Sequence, residues 1–127
     1  MNLSSSSNLF PVLKTKRLVI RCLHEAEVPA RFAAVNRSLS RLKLWFRWAH
    51  QYDPQQDHLA YYRELIRDWV THERYRFTIF DPTENEILGD ISLIVRDLSV
   101  PTYEIGYWLA EGHEGHGYMG EAVDEIT

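Results

Sequence analysis

Three glycines, Gly112, Gly115 and Gly117, stand within six residues near the end of the chain, in the run Y-E-I-G-Y-W-L-A-E-G-H-E-G-H-G-Y-M-G-E-A from Tyr103 to Ala122. An alternating segment, Glu104 to Leu109, precedes them, and a helix-like start follows. Glycines let a ligand come close to the backbone. A helix opening beside them offers unpaired N–H groups and the positive end of its dipole. That combination binds phosphate, and the stretch that would bind it is Glu114 to Gly120. His113 and His116 in the same loop suggest a metal, but H-E-G-H is one residue short of H-E-x-x-H and no further ligands flank it. They are read as solvated loop histidines near phosphate, with no metal.

The elements that must position this loop follow from periodicity. Arg17 to Leu23 sets Leu18, Ile20 and Cys22 against Arg17, Val19 and Arg21, a first strand. His24 to Pro29 opens a helix, Ala30 to Val35 continues it, and Asn36 to Trp48 is a second or broken helix. Asp53 as an N-cap, Pro54 in the first turn and Gln56 three residues after the cap predict a helix over 54–72. Leu59, Tyr62, Leu65, Ile66, Trp69 and Val70 recur along it at helical spacing. Tyr61, Tyr62 and Trp69 are assigned to the core or to a dimer surface. Tyr75 to Phe80 is a second strand and Asp81 to Asn85 a turn. Glu86 to Asp97 is a third strand, in which Gly89 marks a bulge or a close backbone approach. Ser99 to Pro101 turns into a fourth strand, Thr102 to Leu109. The expected fold class is α+β: an antiparallel β-meander flanked by helices.

The run E-I-G-Y-W-L followed by E-G-H-G-Y-M-G-E-A resembles the acetyl-CoA signature of the GNAT acetyltransferases, and within them the RimJ/RimL type, which acetylates protein N-termini. The family pattern is Gln or Arg, two residues, Gly, one residue, then Gly or Ala. It falls here on Glu114, Gly117 and Met119; Glu114 places an acid where the family usually has a neutral or basic residue. The resemblance runs from Leu13 onward and implies the GNAT acyl-CoA N-acyltransferase fold. It further implies acetyl-CoA as cosubstrate, held by Trp108, Leu109, Glu114, Gly115, His116, Gly117, Tyr118, Met119 and Gly120. A complete domain of that kind continues past this helix with a parallel strand, a helix and a closing strand pair. Residues 13–127 are therefore expected to be the N-terminal part of one domain whose C-terminal part is missing, after a flexible segment 1–12.

Acetyl transfer to an amine needs a base for the amine, a donor for the developing oxyanion and an acid for the leaving thiolate. Glu104 is the candidate base, acting through water, with Tyr103, Tyr107 and Trp108 excluding solvent around it. The competing reading is a structural carboxylate paired with Arg21 or Arg96. A backbone N–H near Trp108 or Leu109 suits the oxyanion, and Tyr118 is a weak local substitute for the acid. Trp45-Phe46-Arg47-Trp48 is similar to the W-L-P-W segment of the RimJ/RimL group near the substrate cleft. Phe46 and Trp48 are candidates to line the acceptor side, and Trp45 to pack on the core.

Composition sets the remaining bounds. The chain has 127 residues, 45% of them hydrophobic, enough for one core, with no apolar run near the ~20 residues of a membrane span. Its single cysteine, Cys22, excludes an internal disulfide and suits a reducing cytoplasm, the expected location. Residues 1–80 carry 13 Lys/Arg and 7 Asp/Glu; residues 81–127 carry only Arg96 against 11 acids. An acidic half is an odd host for a polyanion, so either backbone dipoles carry the phosphate site or cations come from sequence outside this chain. The scattered basic residues argue against direct nucleic-acid binding. The expected function is an N-acetyltransferase acting on a protein N-terminal α-amino group. The alternatives are a small-amine (polyamine or antibiotic) acetyltransferase, or a non-catalytic CoA-binding fragment that needs a partner chain. No membrane partner is expected, and a homodimer is one assembly considered.

Overall fold

A computed structural model describes residues 10–97 and 102–126, with side chains at all of these except 96, 97, 102 and 103. Five strands lie side by side in chain order: β1 Val12–Lys14, β2 Val19–Arg21, β3 Arg74–Phe80, β4 Ile87–Asp97 and β5 Thr102–Leu109. Every neighbouring pair is antiparallel. Three helices, α1 Val28–Trp45, α2 Trp48–Gln51 and α3 His58–Val70, are inserted between β2 and β3, and α4 Tyr118–Ile126 follows β5. This is the expected α+β meander. Among the described residues, no helix is long and apolar enough to cross a membrane.

Several local readings shift. β1 was not expected, and it ties residues 10–12 of the supposedly flexible segment to the fold: Val12 pairs with Arg21, and the Phe10 ring lies 4.8 Å from that of Trp69. The strand read over 17–23 shortens to Val19–Arg21, yet Leu18 through Leu23 are all buried, so polar-looking Arg21 points inward too. Its guanidinium is held by both oxygens of Glu27 (2.9 and 2.7 Å) and by Glu84 (2.7 Å), over the ring of Phe80.

The helix break predicted after Val35 does not occur. Val28, Phe32, Val35 and Leu42 form one buried stripe along an unbroken α1, entered through Pro29. The helix ends where Phe46 turns extended and takes the next place on that stripe, so Trp45 is left outside, 75% exposed, against the expectation of core packing. α3 starts at His58 rather than Pro54. Asp57 is the cap that accepts from the Leu59 amide, and Asp53 spends its carboxylate on a turn to Gln55. Tyr61, Leu65 and Trp69 then face the core, with Trp69 Nε1 donating to the Arg76 carbonyl (3.2 Å), whereas Leu59 and Val70, read on the same stripe, are exposed.

One register row crosses the sheet through Arg21, Thr78, Asp90 and Trp108. Asp90 is its centre. Buried under α1, its carboxylate accepts from Thr78 Oγ1 (2.9 Å), Trp108 Nε1 (3.1 Å) and Arg31 Nε (3.0 Å). Burial alone would lower the Arg31 pKa, but Asp90 beside it, together with Tyr61 and Tyr52, more than offsets that and raises it. The guanidinium also stands 4.7 Å from the Tyr61 ring centroid. Gly89, one row on, explains why β5 can lie so close: a Cβ there would stand 2.2 Å from the Trp108 carbonyl oxygen. The close approach read from that glycine is therefore real, and the ladder to β3 shifts register beside it, at Ile79/Phe80.

Candidate active site

The site is built along β5 and the loop that leaves it. Ala110 donates to the Leu88 carbonyl (2.8 Å), and strand pairing continues in regular register from Gly89↔Leu109 to Val95↔Tyr103. In an antiparallel ladder the backbone direction alternates. Trp108 therefore spends its N–H on β4, whereas the backbone of Leu109 faces away from it. Among the described residues no strand covers that side. Of the two amides proposed for an oxyanion, Leu109 is the one presented outward. Trp108 contributes differently: its indole, pinned on Asp90, fixes the strand.

Past Leu109 the chain runs through a turn (His113 N to Ala110 O, 3.1 Å) into the three glycines, whose φ angles are +91° at Gly112, +81° at Gly115 and +78° at Gly117. This left-handed backbone strains any other residue, so the loop shape depends on glycine. Ser38 of α1 anchors the loop start. Its hydroxyl donates to the Ala34 carbonyl (2.9 Å) and accepts from the Glu111 amide (2.8 Å). Gly117 then caps α4, its carbonyl accepting from Glu121 (3.1 Å). The first amides of α4, on Tyr118, Met119 and Gly120, lie beside this glycine backbone. A Cβ added at Gly115 or Gly120 would meet nothing within 4 Å, so the cradle is open on that face.

Glu114 does not face that opening. Its carboxylate turns back into the loop, accepting from the Gly112 amide (3.2 Å), with Nε of Arg41 at 3.8 Å. Hydrogen bonds from loop amides, its own first, together with the nearby arginine hold its carboxyl below the usual range. Arg41, reaching over from α1, also donates through Nη2 to the outward carbonyl of Leu109. The two histidines divide: His113 bonds Glu86 through Nε2 (3.1 Å), while the His116 ring lies 5.4 Å from that of Tyr118. Met119 packs partly against the core.

Glu104 lies on the same face of β5 as Trp108, four residues away, and is exposed. Among the described residues no shell excludes solvent from it, and the side chain of Tyr103 lies outside them. Tyr107 is an odd number of residues away, so it points to the opposite face, where it is 49% exposed. Of the two arginines considered as partners, Arg21 is committed to Glu27 and Glu84; the side chain of Arg96 lies outside the described residues. The aromatic segment, in contrast, does reach β5. The Trp48 ring is 6.4 Å from that of Trp108, the Phe46 ring 6.5 Å from that of Tyr107, and the two are 6.0 Å from each other. They form a wall beside the strand that carries Glu104 and Leu109.

Arg17, Ser38, Arg41 and Asp90 were not foreseen as parts of this site. The one available signal was Glu121, an acid in the first turn of α4 with no cation near it in sequence.

The meander, its outward-facing final strand, the left-handed glycine loop and the helix start are contiguous and together define an α+β fold. Residues 17–127 match the acetyltransferase (GNAT) domain, and the chain belongs to that family. It is 30% identical over 118 residues to the probable N-acetyltransferase YjcK of Bacillus subtilis, covering 88% of this chain and 63% of that one. Among solved structures it shares its fold with RimL, a ribosomal L7/L12 α-N-protein acetyltransferase in complex with coenzyme A. There the TM-score is 0.81 at 22% identity, over 91% of this chain and 65% of that one. It shares it also with the microcin C7 self-immunity acetyltransferase MccE in complex with acetyl-CoA and AMP, at a TM-score of 0.76 and 17% identity, covering 88% and 61%. The chain spans slightly less than two thirds of the length of each of these relatives.

Proposed function

We propose that this chain carries the coenzyme-binding part of an N-acetyltransferase that moves acetyl from acetyl-CoA to an amine, with a protein N-terminal α-amino group as acceptor. The observation that carries this reading is the continuity of the outward backbone of Leu109 with the open glycine cradle and the first turn of α4, in a member of the GNAT family. Acetyl-CoA supplies an activated thioester acyl group. Gly115, His116, Gly117, Tyr118, Met119 and Gly120 would hold its diphosphate through backbone amides and the helix dipole. The N–H of Leu109 is positioned to donate to a carbonyl oxygen as it gains charge. Glu104, exposed on the same strand, takes the proton of the attacking amine through water. Trp48 and Phe46 form the acceptor wall.

The inward turn of Glu114 supports this reading, because the one acid at a pattern position is engaged by Gly112 and Arg41 and does not oppose a phosphate in the cradle. The acceptor class rests on the likeness to RimL; the likeness to MccE supports a small-amine acceptor as the second reading. Calorimetry with acetyl-CoA, run beside turnover assays on Ser- and Ala-starting peptides and on a polyamine, tests these readings. Binding with peptide turnover is expected. Polyamine turnover with inert peptides replaces the acceptor class, binding without turnover points to a fragment that needs a partner chain, and absence of binding ends the coenzyme reading.

A further inference from the structure

We infer that Arg17, in the turn between β1 and β2, is a binding residue for the diphosphate of the coenzyme, an inference that rests on the coenzyme reading above. The loop and α4 lie in a region where 11 acids face a single arginine in sequence, and the cation they lack arrives from about a hundred residues upstream. The docking of α4 onto the β1–β2 turn puts it there. One oxygen of Glu121 accepts from Thr15 Oγ1 and from the Arg17 amide (3.3 Å), and the other accepts from Arg17 Nε (2.8 Å). The guanidinium is then laid over the ring of Tyr118, 4.7 Å from its centroid. Its Nη2 is 3.5 Å from where a Cβ on Gly117 would stand. A cation is thus fixed at the junction of the glycine loop with the first turn of α4.

The guanidinium has five N–H donors arranged along more than one edge. Glu121 takes only the Nε donor, and neither Nη1 nor Nη2 donates to any described residue. The side chain is 44% exposed, so those amino groups are open to a ligand. A planar fork held by a carboxylate behind it, with its free edge beside helix N-terminal amides, is matched to a phosphate oxygen pair. The ion pair with Glu121 leaves the site near neutral before a ligand arrives, which suits an arginine that orients phosphate rather than merely attracting it. Arg17 is therefore a binding and positioning residue, without a part in proton transfer.

The test measures coenzyme binding by the wild-type chain and Arg17→Gln, using CoA, dephospho-CoA and pantetheine, the last by amide-shift titration. Loss of a charge-assisted phosphate contact predicts about ten- to hundredfold weaker binding of CoA. Dephospho-CoA should lose the same factor, because the contact is to the diphosphate, and pantetheine, which has no phosphate, should be unaffected. The slope of log Kd against log salt should become shallower in the variant. Arg17→Lys retains a cation beside Glu121 without the fork, and should fall between the two while keeping the wild-type unfolding midpoint. Unchanged CoA affinity in Arg17→Gln overturns the inference. So does an equal loss for pantetheine, which would make Arg17 only a prop for the loop, and so does a loss confined to CoA, which would move the contact to the 3′-phosphate. A wild-type chain that binds no CoA defeats the coenzyme reading itself, a separate result.

Discussion

Replacing Asp90 by Asn keeps the shape of the side chain and removes its charge, which isolates what the carboxylate does for the site. In the native fold three donors converge on it, from Arg31, Thr78 and Trp108, and both ends of the Arg31–Asp90 pair are only 12% exposed. The amide offers one oxygen for three donors and adds two donors of its own. Arg31 is left as a buried cation without a counter-charge, a class of change that costs about 3–5 kcal/mol. For a domain of this size that lowers the melting temperature by on the order of 10–20 °C. The indole of Trp108 loses its acceptor in the same step, so β5 loosens where it leads into the glycine loop. Urea unfolding gives the free energy directly. The control is Asp90→Asn combined with Arg31→Met: with the stranded cation gone, the pair should cost less than the two single changes together, by about 2 kcal/mol. A cost below about 1 kcal/mol for Asp90→Asn, or strict additivity in the double variant, refutes the argument that this carboxylate is the electrostatic centre of the sheet.

Four further outcomes follow from the same geometry. Gly89→Ala should cost about 1–3 kcal/mol in urea unfolding, because its methyl would press on the Trp108 carbonyl oxygen and Leu109 Cα, backbone that cannot swing aside; a loss under half a kcal/mol would mean β5 yields easily. Glu104→Gln should lower turnover by about 10²–10⁴ with acetyl-CoA affinity retained, and full activity would remove Glu104 as the base. Thr15, with Arg17 behind it, holds the Glu121 carboxyl below its usual range. A depressed carboxylate contributes stability that is present above the unfolded value of about 4.3 and lost as pH falls through the lower folded value. The stability gap between the wild-type chain and Glu121→Gln should accordingly be flat above about pH 5 and shrink in more acid solution; a gap that grows on acidification contradicts the sign. Burial pushes the Cys22 thiol up to about 12, so iodoacetamide at pH 8 should label it only as the chain unfolds, and rapid labelling of folded protein would place it at the surface.

The difference between what was legible and what was not follows the range of the interactions. Alternation placed β3, β4 and β5 correctly because each spans seven residues or more, long enough for a period of two to show. β1, at three residues, is too short to show one; the alternation over 17–23 did reveal β2 but not that only Val19–Arg21 pairs. Asp53 and Asp57 have equal cap chemistry, and only the packing of Tyr61, Leu65 and Trp69 against the sheet selects Asp57 as the start of α3. Trp45 and Phe46 are adjacent aromatics, and which one enters the core depends on where α1 ends. The shielding expected around Glu104 came from sequence proximity; strand parity sends Tyr107 to the other face.

Residues 104–122 are contiguous, so strand, left-handed glycine turns and helix start are all local consequences of local sequence, and the family signature lies within them, departing at Glu114. The chemistry around that stretch is not local. Glu121 meets Thr15 across 106 positions, the Glu111 amide meets Ser38 across 73 and Arg41 meets the Leu109 carbonyl across 68. Such pairs leave no periodic trace, because nothing in the order of residues relates a β-turn near the start to a helix near the end until the sheet and α1 bring them together. The sequence therefore specified the glycine turn and the helix start. The folded chain set Arg17 beside them, turned Glu114 back onto Gly112 and Arg41, and chose Leu109 as the outward-facing amide.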